Sequence, residues 1–363
     1  MKKVIFSPST YIQGRKEIKN LAKYVKELDK ISAYIITDEF IYNNYKSEII
    51  ESFISNKTKY NFAIFNSECC IEEIDIHRKN LKEYDIIIGI GGGKALDLAK
   101  AISYYEDYPV IIVPTIASTD APCSRLSAIY TKKGEFLHYI TLKNSPNIVL
   151  VDVDIIMKAP VRFLVAGIGD ALSTYYETNA CYKSNSKTIT GGYVTKPILM
   201  LSKLCRDTLL KEGHKAIFAL KDGVYNKSLD DIIEANIYLS GVGFENGGLS
   251  VAHALHNGLT ILEDSYKSLH GEKVAFSTIV QLVLENRPLE EIKEVIYFCK
   301  KIGLPTSFET LGISNISDEQ IRKVAKESCN LKYTMKNHFL NITEEDIFSA
   351  IVLTNKVEKE VIV

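Results

Sequence analysis

The stretch Ile86-Ile87-Ile88-Gly89-Ile90-Gly91-Gly92-Gly93-Lys94-Ala95-Leu96-Asp97 runs from an apolar strand into a helix. Glycines at such a corner let backbone approach a ligand closely, and the amides that open a helix favour an anion such as a pyrophosphate. A tight strand-to-helix turn with no ligand has the same composition, so both readings stand. Two familiar phosphate motifs are excluded. From Gly89 to Gly93-Lys94 the spacing is one residue short of a Walker A loop, and Ala95 stands where that loop needs Ser or Thr for Mg²⁺. Lys94 also takes the last glycine position of the GxGxxG dinucleotide fingerprint.

Around this corner the first 160 residues alternate short β-branched runs with helix-length amphipathic segments. Strands are expected at 33–37, 60–65, 85–90, 110–113 and 148–151, and helices at 15–28, 40–54 and 95–104. That alternation predicts βαβ units and a parallel sheet, a Rossmann-like α/β domain. Residues 127–131 and 135–139, split by Lys132-Lys133-Gly134, predict a β-hairpin with glycine at its turn. Asp38 ends the second strand, where an acid can accept hydrogen bonds from an adenosine ribose and repel a 2′-phosphate. It reads equally as the N-cap of the helix that follows.

Past Pro160 the texture changes to long helical patterns at 161–180, 196–210, 229–243, 249–262, 271–284, 289–302, 318–329 and 344–358. The chain is therefore expected to hold an α/β domain over 1–160 and an all-helical domain over 161–363, with a cleft between them.

Composition narrows the class. At 363 residues, 46% hydrophobic and 25% charged, the chain has ample material for two cores. Lys and Arg total 44 against 45 Asp and Glu, a net charge of −1, which leaves no basic footprint for nucleic acid. The N-terminal apolar run is too short for a signal peptide, and no stretch approaches the ~20 apolar residues of a membrane span. The odd set of seven cysteines contains no CxxC pair and reads as free thiols in a reducing compartment. A cytoplasmic protein is expected.

Three of the seven histidines cluster in the helical half. In Ser250-Val251-Ala252-His253-Ala254-Leu255-His256-Asn257-Gly258, His253 and His256 stand at i and i+3 on one helix face, and His270 follows fourteen residues later. Gly167-Ile168-Gly169-Asp170-Ala171-Leu172 sets a lone acid among apolar residues. Imidazole nitrogens with one carboxylate suit Zn²⁺ or Fe²⁺. Partly buried helix histidines and a capping aspartate would give the same pattern. His77, His138, His214 and His338 sit in polar surroundings and read as surface residues. No GxSxG elbow supports a nucleophilic serine.

Taken together, Gly91-Gly92-Gly93-Lys94 with Asp97 and Lys100, Pro114-Thr115-Ile116-Ala117-Ser118-Thr119-Asp120-Ala121-Pro122, Ala166 to Leu172, Gly243-Phe244-Glu245, His253 to Gly258 and His270-Gly271-Glu272-Lys273-Val274 resemble the glycerol dehydrogenase branch of the iron-containing alcohol dehydrogenase superfamily. The resemblance covers most of the chain and implies a dehydroquinate synthase-like architecture. It implies Asp170, His253 and His270 as metal ligands and Asp120 as the substrate-side acid, with His256 assisting substrate or proton transfer. Asp38, Gly91, Gly92, Gly93, Lys94, Asp97, Thr115, Ser118, Ser124, Leu126 and Tyr130 are the implied NAD contacts.

Many superfamily members carry a fourth ligand, a histidine four residues after the aspartate. Here that position is Thr174. Three protein ligands leave a position open, the arrangement of catalytic zinc, so Zn²⁺ is expected in preference to Fe²⁺. The implied activity is NAD-dependent oxidation of glycerol or a related vicinal diol to the hydroxyketone. The implied assembly is a homo-oligomer, possibly an octamer. Two other readings are a glycerol-1-phosphate (phosphopolyol) dehydrogenase, for which Arg125 is the one candidate cation, and a dehydroquinate synthase-like lyase. Both need basic side chains around the metal, and 253–262 offers none.

Overall fold

The computed structural model describes residues 1–330 and 334–361. The chain divides into two compact units. One comprises Ser7–Ala117 and Ala121–Ala159; the other comprises Met1–Phe6, Ser118–Asp120 and Pro160–Val363.

In the first unit the strands are β1 (Thr10–Gly14), β2 (Ser32–Thr37), β3 (Lys59–Ile64), β4 (Ile86–Gly91), β5 (Val110–Pro114), β6 (Leu126–Tyr130), β7 (Phe136–Thr141) and β8 (Ile148–Asp152). Its helices are α1 (Leu21–Glu27), α2 (Glu39–Ser55), α3 (Ile71–Arg78), α4 (Gly93–Glu106) and α5 (Val153–Lys158). Six strands form one sheet in the order β1-β8-β5-β4-β2-β3, and every pairing in it is parallel. Parallel neighbours need crossover connections, which the helices supply, and helices over the faces bury the strands. Every residue of β2, β4, β5 and β8 is accordingly buried. Ile35, Ile86, Ile88, Ile90, Ile111 and Val113 pack with Ile41, Ile49 and Phe53 of α2 in one core.

The five expected strands form, each within one residue of its predicted ends. The edge strand β1 went unanticipated because Thr10-Tyr11-Ile12-Gln13-Gly14 is polar and only half-buried. The short α3 also escaped prediction, since it buries only Ile74 and His77. The expected helix 15–28 resolves into one 3₁₀ turn, Glu17–Asn20, followed by α1. β6 and β7 form the predicted antiparallel hairpin, with Gly134 at φ 83° in its turn.

One reversal in the sheet decides where a ligand would sit. From β2 the chain moves outward to β3, and from β4 it moves the other way to β5. The loops after β2 and β4 therefore diverge at the carboxyl edge, the usual binding crevice of an open α/β sheet. Asp38 follows β2 and Gly92 follows β4.

The second unit is helical: α6 (Val161–Ser184), α7 (Lys196–Lys221), α8 (Lys227–Glu234), α9 (Ser240–Gly247), α10 (Val251–Leu259), α11 (His270–Leu284), α12 (Leu289–Ile302), α13 (Asp318–Ser328) and α14 (Glu344–Val357). Val251, Leu255, Phe276, Val280, Val324 and Ile351 hold α10, α11, α13 and α14 on one core. The single helix expected at 229–243 is instead α8 and α9 joined by a π-helical turn, Ala235–Leu239. A sequence period near 3.6 does not report such a local widening.

Two further expectations are corrected. His77 and His338 are buried, not at the surface. The Nδ1 of His77 meets the Tyr34 hydroxyl at 2.9 Å, and the Nε2 of His338 meets Glu285 at 3.1 Å. Their polar neighbours Asp75, Lys79 and Lys336 are exposed, while the histidines turn inward. Among the described residues no helix is long and apolar enough to cross a membrane.

Candidate active site

Asp170, Thr174 and Glu177 lie on one face of α6 at i, i+4 and i+7, and all three are buried. Two glycines set what that face meets. A Cβ on Gly169 would sit 2.4 Å from the Gly271 carbonyl, and one on Gly271 would sit 1.8 Å from the Ala166 carbonyl. The backbones of α6 and α11 therefore touch at this crossing, which no larger residue permits. His270, the first residue of α11, is thereby carried to Asp170.

The Nε2 of His270 lies 3.1 Å from Asp170 Oδ1, and the Nε2 of His253, from α10, lies 3.6 Å from the same oxygen. One ligand atom from each of the three residues falls within a span of 4.8 Å. Asp170 Oδ1 is buried and has no hydrogen-bond partner among the described residues. A buried anionic oxygen with an open lone pair beside two imidazole nitrogens is the donor set of a divalent cation, and the residues fit one. Burial would push the Asp170 carboxyl up, but the His270 charge and contacts with both histidines hold it below the usual carboxylate range.

Asp120 joins this group through the backbone. Its N–H donates to Asp170 Oδ2 at 3.3 Å, while its own Oδ2 accepts from the Ser240 hydroxyl at 2.9 Å. Ser240 opens α9 directly after the π turn, and its Oγ lies 2.8 Å from the Thr174 hydroxyl. Burial, and then the charge of Asp170, push the Asp120 carboxyl well above its ordinary value; His253 and Ser240 only partly offset this. Thr174 thus spends its hydroxyl on Ser240.

Each imidazole has a partner for its second nitrogen. Glu177 Oε2 lies 2.7 Å from His253 Nδ1. His270 Nδ1 lies 3.0 Å from His256 Nε2, whose Nδ1 in turn lies 3.2 Å from the Asn257 side-chain oxygen. Burial, followed by the charges of His270 and Lys273, keeps His256 well below the usual histidine range, so it is neutral and can accept. His253 moves the other way: burial would lower it, but Glu177 and Asp170 raise it overall. Sequence reading missed Glu177, Ser240 and Asn257. A glutamate seven residues after Asp170 on the same helix face was the available signal for the first.

In the α/β unit, Asp38, Gly91 and Thr115 stand at the carboxyl edge of neighbouring strands, with Thr115 N–H bonded to the Gly91 carbonyl at 3.1 Å. Gly91 has φ 154°, and a Cβ there would meet Ala95 at 3.0 Å and Asp38 Oδ2 at 3.2 Å. At Gly93, the first residue of α4, a Cβ would meet nothing within 4 Å. Packing does not require glycine at that position, whereas close approach of a ligand would.

Asp38 does cap α2, its Oδ1 accepting from Ile41 N–H at 2.8 Å. Lys94 is ion-paired with Glu68. Burial pushes the Asp97 carboxyl up to about 6. Ser124 Oγ donates to the Ala121 carbonyl at 2.9 Å, and Leu126 and Tyr130 begin and end β6. Ser118 lies with Asp120 in the short segment that belongs to the helical unit. Arg125 is buried, with Nη1 on the Leu142 carbonyl at 3.5 Å.

Comparison with known proteins identifies the family. Residues 8–153 match the iron-containing alcohol dehydrogenase family. The glycerol dehydrogenase of Citrobacter freundii is 46% identical over 97% of this chain and 97% of its own length. The chain belongs to the iron-containing alcohol dehydrogenase family. As a member it is an oxidoreductase of the alcohol dehydrogenase type, and its relatives include proteins acting on different small molecules. The glycolaldehyde reductase of Halobacterium salinarum is 37% identical over 99% of both chains. The crystal structure of glycerol dehydrogenase from Schizosaccharomyces pombe superposes with a TM-score of 0.94 at 38% identity, over 99% of this chain and 92% of that one.

Proposed function

We propose that this enzyme oxidises glycerol or a related vicinal diol to the hydroxyketone, dihydroxyacetone in the case of glycerol, with NAD as acceptor and zinc at Asp170, His253 and His270. The observation that carries the proposal is Asp170 Oδ1: buried, without a hydrogen bond among the described residues, and faced by two imidazole nitrogens at 3.1 and 3.6 Å. The names of the relatives supply the substrate class. Thr174, at the position of the fourth ligand elsewhere in the superfamily, bonds to Ser240, which favours a three-ligand zinc site over iron.

When bound, the divalent ion supplies Lewis acidity to a substrate hydroxyl, and the nicotinamide supplies the hydride acceptor. This chain's side chains do the rest. Asp120, held by Ser240, accepts a hydrogen bond from the second hydroxyl of the diol and so orients the carbon that loses hydride. His256 keeps His270 in place by accepting a hydrogen bond from its Nδ1–H. Asp38 at the end of β2 receives the adenosine ribose and disfavours a 2′-phosphate, and the open position at Gly93 admits the pyrophosphate to the first turn of α4.

The phosphate-ester reading loses support because Arg125 is directed to the Leu142 carbonyl within its own unit. The test is NADH production on a panel of polyols and on ethane-1,2-diol, with metal removed by chelation and then restored. Zinc-dependent turnover of glycerol supports the reading. No turnover of any diol in the presence of zinc and NAD overturns it.

A further inference from the structure

Glu177 is a fully buried carboxylate that has no part in the ligand set yet touches it. One of its oxygens, Oε1, accepts the backbone N–H groups of Ser250 at 2.7 Å and His253 at 3.0 Å. These are the N-cap and third residues of α10, whose own Ser250 side chain makes no capping bond. The adjacent Ala252 N–H goes to the Gln281 side-chain oxygen at 3.1 Å. Two side chains from other helices thus satisfy donors that a helix start leaves open, and the negative charge of Glu177 sits where the helix dipole favours it. The other oxygen, Oε2, takes His253 Nδ1 at 2.7 Å.

We infer that Glu177 is a positioning residue for the metal centre: its carboxylate fixes His253 in the Nδ1–H tautomer and thereby leaves Nε2 as a free ligand atom. The inference rests on the zinc reading proposed above. A carboxylate can only accept, so a neutral imidazole bonded to it through Nδ1 must carry its single proton there. Nε2 then faces Asp170 as a lone pair, and a partner that sets the tautomer of a ligating histidine governs its affinity for metal.

The chemistry separates this role from simple capping. In Glu177→Gln the amide oxygen can still accept from Ser250 and His253, so the start of α10 keeps its cap. The amide nitrogen then faces His253 Nδ1 as a donor and demands a lone pair there. The proton is driven to Nε2, and the ligand atom is lost. A purely structural glutamate would tolerate that exchange.

The experiment measures zinc affinity by competition with a chromophoric chelator, the absorption spectrum of the cobalt-substituted protein, and the Tm of the metal-free full-length chain. Glu177→Gln should leave the metal-free Tm close to wild type, weaken zinc by about 10–100-fold and alter the cobalt spectrum. Glu177→Ala, which removes the cap as well, should also lower the metal-free Tm. Wild-type zinc affinity in Glu177→Gln overturns the inference. If that variant does not fold, the ¹⁵N-imidazole signals of zinc-loaded wild type decide: His253 must carry its proton on Nδ1, and a bare Nδ1 overturns it. Wild-type protein that binds no divalent ion overturns the zinc reading itself, and this inference with it.

Discussion

The backbone N–H of Asp120 donates to Asp170 Oδ2 at 3.3 Å, so two buried acidic residues are tied by a main-chain bond. The tie does not depend on the side chain of Asp120. Replacing that side chain with Asn keeps one acceptor oxygen but exchanges the other for an amide donor. Asp120→Asn should therefore lower kcat/KM for glycerol by about tenfold or more while zinc content stays at the wild-type level. Metal analysis beside steady-state kinetics checks it; loss of zinc in this variant would show that Asp120 supports the ligands instead.

Removing ligands should act in the opposite order. A His253→Ala, His270→Ala double variant retains only Asp170 of the three converging groups. Zinc content and activity should fall together to background. Full zinc occupancy in that variant contradicts the assignment.

Asp38 caps α2 and, in the proposed function, also receives the cofactor, and substitution can separate the two. Asn is as good an N-cap as Asp, so Asp38→Asn should retain the bond from Ile41 and change stability by a few tenths of a kcal/mol at most. Without the charge opposing a 2′-phosphate, its preference for NAD over NADP should narrow. Wild-type enzyme that uses both cofactors equally would remove Asp38 from this role.

The glycines after β4 offer a contrast. Gly93→Ala meets no neighbouring atom within 4 Å and should leave the Tm unchanged. If the pyrophosphate approaches there as proposed, the added methyl fills its path and Kd for NAD should rise by about tenfold or more. Gly91→Ala, at φ 154° with Ala95 and Asp38 close by, should lower the Tm as well. Equal stability of the two variants would refute this division.

A pH effect on stability should come from His77, outside the site. Burial lowers its pKa from the usual 6.5, so the unfolded chain binds this proton more readily than the folded one. Its contribution is complete above about pH 6.5 and is lost as pH falls toward the lowered value, at no more than about 1.4 kcal/mol per pH unit for one proton. His77→Phe should lose less stability than wild type between about pH 7.5 and 5.5 in thermal unfolding. Parallel slopes would show that another group dominates.

Strand composition made the sheet legible, because Ile and Val runs separated by helix-length segments admit few other folds. Register, edge strands and irregular turns were less so. β1 carries little hydrophobic signal, and the π turn before Ser240 leaves no period of its own. The histidine cluster pointed to metal and the family resemblance named Asp170 with it; what the sequence did not show is the contact of α6 and α11 at Gly169 and Gly271 that carries His270 to Asp170. Glu177 is easily passed over, because a glutamate within a helix usually faces water. Its burial depends on the start of α10, seventy-three residues further along the chain, presenting N–H groups to it.

On the proposed function a bound diol is held at two points, by zinc at Asp170, His253 and His270 and by Asp120. A substrate lacking the second hydroxyl forfeits a hydrogen bond to this buried carboxyl, at a cost of about 1–3 kcal/mol. The most direct measurement is kcat/KM for glycerol against 1-propanol at equal NAD in the zinc-loaded enzyme. Glycerol should be preferred by roughly tenfold to a few hundredfold. Equal values for the two alcohols would contradict it.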